Sequence, residues 1–270
     1  MNGKNRNLVI RVVTALVLLP GVLWLIWRGG LPLALLIAAA AALCALELNQ
    51  LPEATLGGAG ILSIGGAFLI PLSHEAPLGW LSTEAVLSAV VIGAFADALL
   101  FEAEIPNAPR RVGLAVLGAV YPGLLLSAIL PLRQMPQGEW WIVLALTVTW
   151  LNDTCAYFAG RSFGRHKLYE RISPSKTWEG ALGGAAGSIV GALVVRQIWL
   201  PALHAWGAAL IGAGSAILGP VGDLSESMLK RAFGAKDSGR LLPGHGGLLD
   251  RIDALLFNAP FVLLCARLLT

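Results

Sequence analysis

The chain has 270 residues, 56% of them hydrophobic and 13% charged, with a mean hydropathy of +0.73 and a formal net charge of +3. Soluble domains carry about 25% charged residues, so an ordinary soluble fold is excluded. Alternation of apolar and polar residues is missing, which excludes a transmembrane β-barrel and leaves a polytopic helical membrane protein.

Nine candidate spans follow in order, at residues 8–27, 31–51, 56–72, 85–101, 112–132, 140–160, 177–200, 205–221 and 252–269. Most approach the ~18–20 residues that cross a ~30 Å hydrocarbon core. The first has a basic start but no small-residue cleavage site after it, so it reads as a retained helix and not a signal peptide. Connections are marked by Arg28-Gly29-Gly30, Pro52-Glu53 and the polar stretches 73–83, 105–111 and 133–139. The longest polar loops are 161–176 and 223–251. The expected fold is therefore an all-α transmembrane bundle of about nine spans. Residues 1–135 form a scaffold of about five spans and residues 136–270 carry the chemistry, within one integral membrane unit. Cys44, Cys155 and Cys265 lie in or beside apolar runs without C-x-x-C spacing. They read as small buried apolar side chains, not a disulfide set or a zinc site.

Lysine and arginine placement sets the orientation. With the N-terminus cytoplasmic, 15 of the 19 fall on the cytoplasmic side, including all those of both long polar loops. On the seventh span Gly183, Gly187 and Gly191 recur every four residues. Such a face admits a closely packed helix, either within the chain or from a second protomer.

Charged groups in a membrane protein are costly and therefore functional candidates. Gly219-Pro220-Val221-Gly222 is expected to break or bend the eighth span, and a break would start a helix near Asp223. Asp223, Ser227 and Lys230 then share one face. The plainer reading is a capping box of Asp223 with Glu226. Asp250 and Asp253 open the last span, where acidic residues also serve as caps. Two acidic helix starts flanking one cytoplasmic loop suit Mg²⁺, which takes a few carboxylates and keeps sites for water and phosphate oxygens. Lys230, Arg231, Lys236, Arg240 and Arg251 supply cations for phosphates. In Pro243-Gly244-His245-Gly246-Gly247 the glycines let main-chain N–H groups approach phosphate oxygens, and His245 is a candidate phosphate or base contact. Ser175 and Lys176 precede the seventh span, where free amides favour an anion, or where the segment is an N-cap with snorkelling basic residues; without the GxxxxGK[ST] frame this is no P-loop. Asn152 and Asp153 sit within the sixth span and, with Tyr157, face a polar cavity. Glu47 and Asp97 stand alone in the second and fourth spans and receive no role.

The run from Ser227 to Arg231, Lys236-Asp237, Leu242 to Leu248, and Asp250-Arg251-Ile252-Asp253 together resemble the signature of the phosphatidate cytidylyltransferases, the CDP-diacylglycerol synthases. Trp150-x-x-Asp153-x-x-Ala156-Tyr157-x-x-Gly160 and the run from Ser173 to Gly180 are similar to two further blocks of that family. The resemblance covers about the last 120 residues; the first 140 match only as apolar spans. It implies a Mg²⁺-dependent reaction in which CTP and phosphatidate give CDP-diacylglycerol and pyrophosphate. Asp223 and Asp250 would then hold the metal, with Asp253 as a third ligand or behind it, and the lipid phosphate would be its own nucleophile. Ser175, Lys176, Ser227, Lys230, Arg231, Lys236, His245 and Arg251 would bind the substrate phosphates. A second, monovalent cation (K⁺) is implied by the resemblance alone. Resemblance and glycine seam together point to a homodimer in the inner cell membrane, with a cytoplasm-facing site and no nucleic-acid partner. Two other readings are a CTP-dependent lipid or polyprenol kinase, which would transfer the γ-phosphoryl group, and an ion-coupled transporter using Glu47, Asp97 and Asp153.

Overall fold

In a computed structural model of the chain, the structure is described for residues 19–51, 56–75, 81–239 and 246–269. The expected first span at 8–27 falls largely outside them; residues 19–28 are helical. The helices that follow are α1 (Gly30–Gln50), α2 (Gly58–Leu72), α3 (Thr83–Phe101), α4 (Ala108–Ser127), α5 (Ile129–Gln134), α6 (Gly138–Phe163), α7 (Trp178–Trp199), α8 (Ala205–Ala232) and α9 (Leu249–Leu269). Among the described residues seven helical segments are long and apolar enough to cross a membrane, with α4 and α5 counted as one. The helix α2 is equally apolar but has 15 residues. Of the nine expected spans, the first falls largely outside the described residues and the third, α2, is shorter than a crossing; among the described residues seven meet that length.

The chain forms two compact units, residues 1–130 with 237–251, and residues 131–236 with 252–270. In the first, α1 to α4 pack through small residues. Gly66 of α2 faces Val90 and Ala119, and a Cβ on Gly123 of α4 would come within 2.9 Å of the Ala67 backbone. The Gly29-Gly30 turn is as predicted: φ is 63° and 60°, the left-handed region that glycine enters without steric cost. Asp97, isolated in the sequence, is salt-bridged to Arg111 at 2.8 Å.

In the second unit the glycine seam lies within the chain. A Cβ on Gly183 would strike Ala159, one on Gly187 would come within 2.5 Å of Cys155 Sγ, and one on Gly191 within 2.6 Å of Leu151 Cδ1. The four-residue glycine ladder of α7 therefore meets a four-residue ladder on α6. Gly212 brings α8 onto the backbone of Ile189 on α7, and Gly222 fits against the Asp253 carbonyl of α9.

Two expectations are corrected here. The polar loop after α6 contains a two-stranded antiparallel hairpin, β1 (Lys167–Tyr169) with β2 (Ser173–Thr177), so the fold is helical with one small sheet. The eighth span does not break at Gly219–Gly222, because α8 continues as one 28-residue helix with Pro220 inside it. Asp223 thus lies in a helix interior and caps nothing. Proline lacks an N–H and crowds the preceding turn, but Gly219 and Gly222 supply the close packing that offsets this, Gly222 sitting 2.5 Å (as Cβ) from the Asp253 carbonyl oxygen.

Candidate active site

The second unit holds a cavity of about 410 Å³ among α6, the hairpin, α7 and α8. Its polar lining is Asn152, Asp153, Tyr157, Arg161, Ser175, Lys176, Thr177 and Asp223. Helical spacing puts Asp153, Tyr157 and Arg161 on one face of α6. The strand β2 delivers Ser175 and Lys176 and ends at Thr177, whose Oγ1 accepts the Gly180 amide at 3.1 Å and so starts α7. Gly160 and Gly180 bring α6 and α7 together here; a Cβ on Gly180 would lie 2.9 Å from the Ala156 carbonyl oxygen. Local sequence therefore builds this wall: a strand, a threonine cap and a glycine contact.

The charges in the cavity are arranged as a half-open set. Lys176 Nζ pairs with Asp223 Oδ2 at 2.6 Å, with the two side chains 23% and 33% exposed. Asp153 interacts electrostatically with Asp223 and Lys176, and Asp253 with Asp223, Asp153 and Lys176. Ser227 Oγ donates to Asp223 Oδ1 at 3.4 Å, and Arg161 donates to the Tyr157 hydroxyl at 2.8 Å. Two carboxylates, Asp153 and Asp223, and two cations, Lys176 and Arg161, thus line the cavity, with Asp253 interacting electrostatically with Asp153, Asp223 and Lys176. The floor is polar as well: Asn152 is 1% exposed, its amide donates to the Ser215 carbonyl at 3.4 Å, and its Oδ1 has no hydrogen-bond partner among the described residues. Asn152 and Asp153 were expected at a polar cavity, and both line it.

The remaining predicted residues divide. Lys230 turns inward and pairs with Glu226 at 2.6 Å, with Glu226 1% exposed; the expected capping role of Glu226 is replaced by this ion pair. Arg231 is exposed and donates to the Ala235 carbonyl at 2.9 Å. Lys236 and Arg251 are exposed. His245 and Arg240 lie outside the described residues. Asp250 belongs to the first unit, where its Oδ2 accepts from Ser238 N at 3.1 Å, Ser238 Oγ at 3.0 Å and Gly247 N at 3.2 Å. The Gly247 amide, expected to face phosphate, is therefore engaged by Asp250. Arg161 was read only as a topology charge, although its spacing from Asp153 and Tyr157 marks the same helix face.

A model of the cytidylyltransferase family matches residues 9–269. A phosphatidate cytidylyltransferase of Brucella suis biovar 1 (strain 1330) is 39% identical over 259 residues, 96% of this chain and 93% of the relative. Its counterpart in Bacillus subtilis (strain 168) is 34% identical over 264 residues, 93% of this chain and 95% of the relative. One from Staphylococcus saprophyticus is 33% identical over 256 residues, 94% of this chain and 96% of the relative.

Proposed function

The chain belongs to the cytidylyltransferase family, and from that premise we propose that it transfers CMP from CTP to phosphatidate, giving CDP-diacylglycerol and pyrophosphate. The observation that carries this reading is the cavity lined by Asp153, Asp223, Ser175, Lys176 and Arg161. Its volume of about 410 Å³ falls in the range of ~300–1,000 Å³ typical of small-ligand sites. Mixed carboxylates and cations suit a metal–phosphate complex better than either sign alone.

The donor set fits a hard divalent cation that arrives with its phosphates. Mg²⁺ is usually held by one or two carboxylates and otherwise by water and substrate phosphates. Among the described residues no three His, Cys, Asp or Glu side chains form a group ready to hold a metal, while Asp153 and Asp223 both line the cavity. Asp223 and Asp253 are the proposed ligands in the second unit. Asp250 is proposed on its sequence motif, and the monovalent cation on the family resemblance. Bound there, the ion would supply charge neutralisation at the α-phosphorus.

The protein's own part is positioning. An incoming phosphate competes with Asp223 for Lys176, freeing the carboxylate as the ammonium turns to the anion. Ser175 and Arg161 hold phosphate oxygens at the cavity wall, and Arg231, Lys236, His245 and Arg251 serve the same anions. Lys230, paired with buried Glu226, supports α8. The phosphatidate oxygen then attacks the α-phosphorus; that P–O bond forms as the α–β bridging bond breaks, and pyrophosphate leaves with the electron pair. The lysine and arginine asymmetry supports a cytoplasm-facing site in the cell membrane. Because the glycine seam is occupied within the chain, the proposed homodimer rests on the resemblance alone.

The test is turnover of the detergent-solubilised protein with phosphatidate and CTP labelled at either phosphate. Mg²⁺-dependent entry of the α-label into lipid is the expected result. Entry of the γ-label would make the protein a lipid kinase, and no entry of either would overturn both. The transporter reading loses its path, since Asp97 is paired with Arg111 and Glu47 is bound to backbone amides.

A further inference from the structure

Glu47 stands near the end of α1 and is 3% exposed, an expensive place for a carboxylate without partners. Its partners come from about 200 residues away in the chain. Oε1 accepts the Leu248 amide at 2.9 Å and Oε2 accepts the Leu249 amide at 2.8 Å. These two N–H groups open α9, and the first amides of a helix have no acceptor inside it. The cap of the last helix is thus supplied by the second predicted span. Ser238 Oγ lies 3.2 Å from Glu47 Oε2 and 3.0 Å from Asp250 Oδ2, so its single proton is shared between the two carboxylates.

Backbone packing closes around this carboxylate. A Cβ on Gly239 would lie 2.7 Å from Glu47 Oε1, and one on Gly247 would lie 2.8 Å from Glu47 Oε2 and collide with Ser238 Oγ. A side chain at 239 would therefore displace the Glu47 carboxylate, and one at 247 would displace Ser238 and Glu47 together. One side chain therefore contacts both Ser238 and the amides of Leu248 and Leu249.

We propose that Glu47 is a positioning residue for the reaction: it fixes Asp250, through Ser238 and the amides that open α9, in the orientation that turnover requires. A carboxylate held by several N–H and O–H donors has little freedom to rotate, and ligand carboxylates are commonly oriented by such partners. Glu47 itself does not touch substrate in this scheme. Replacement by glutamine keeps the shape but sets an NH₂ group against at least one amide donor, which loosens the grip.

The kinetic arm of the test rests on the proposed cytidylyltransfer; the structural arm does not. In the full-length protein, Glu47→Gln is expected to speed amide exchange about tenfold or more at Ser238, Gly247, Leu248 and Leu249, with exchange in α6 and α7 unchanged. It is expected to lower kcat ~10–100-fold, with KM for CTP moved far less. Unchanged exchange at those four amides overturns the proposal, as does a uniform rise throughout the protein, which would make Glu47 a general stability residue. Normal kcat with faster local exchange overturns the link to turnover. If Glu47→Gln does not accumulate folded, Ser238→Ala decides the matter, since it removes only the bridge to Asp250: a ~10-fold or larger fall in kcat supports the link, and full activity removes it. Failure of wild-type turnover sinks the proposed reaction while the exchange result still decides the grip.

Discussion

Two groups of carboxylates in this protein are treated in opposite ways. In the second unit Asp223 is 33% exposed, faces a cavity and is held by one ammonium 2.6 Å away and a longer 3.4 Å bond from Ser227, with no backbone amide among these partners. In the first unit Glu47 is buried and Asp250 half-buried, and both are held by backbone amides and a serine hydroxyl. A lysine partner can exchange for a phosphate or a cation, because the pair is wet and reversible. Backbone amides cannot move away without unwinding the helix that carries them. The first arrangement suits ligand exchange and the second suits fixed geometry. The Glu226–Lys230 pair, buried within α8, belongs with the second kind.

This contrast can be broken by substitutions that should hit stability in closed groups and turnover in open ones. The largest effect is expected from Lys230→Met, which leaves Glu226 charged and buried; breaking such a pair costs about 3–5 kcal/mol. Chemical denaturation in detergent reads it, and a loss below about 1 kcal/mol, the scale of an exposed pair, would move the pair into the open class. Next is Asp223→Asn, expected to lower kcat/KM for CMP transfer more than ~100-fold, beyond what outer partners of a metal ligand cost. The thermal midpoint should stay near wild type, and activity within a few-fold would end its role. Lys176→Ala removes a charged hydrogen-bonding partner worth ~1.5–3 kcal/mol. It should weaken CTP or phosphatidate binding about 10–100-fold by titration, with little loss of stability. Unaltered kinetics for both substrates would take Lys176 out of the cavity's chemistry. Smallest is Tyr157→Phe, which removes the 2.8 Å bond from Arg161. A hydrogen bond to a charged group is worth ~1.5–3 kcal/mol, and this exposed one belongs at the low end, so KM should rise by about tenfold; a far larger change would give the tyrosine a direct role.

Much of the second unit was legible from local pattern. The glycine ladder on α7 follows from a four-residue period, and only its partner was open; the structure finds it on α6 at Leu151, Cys155 and Ala159. Asn152 and Asp153 announced a polar cavity because charge in an apolar helix needs one. Lys176, expected beside free amides at a helix start, lies on β2 and pairs with Asp223, while Thr177 caps the Gly180 amide. The misreadings have local causes too. Proline flanked by glycines signals a break, yet in α8 those glycines serve helix packing and the helix continues. Arg161 stands eight residues after Asp153 and shares its helix face, a spacing visible in the sequence.

What the sequence determined by itself was the membrane class, the position of most helices and the family motifs, since each is encoded in composition or in residues close along the chain. What only the tertiary structure decided was the partner of each buried charge: Arg111 for Asp97, Lys176 for Asp223, and the opening amides of α9 for Glu47. Backbone amides are the same at every residue except proline and leave no mark in the sequence. A carboxylate that binds them across about 200 residues therefore stands alone until the chain is folded.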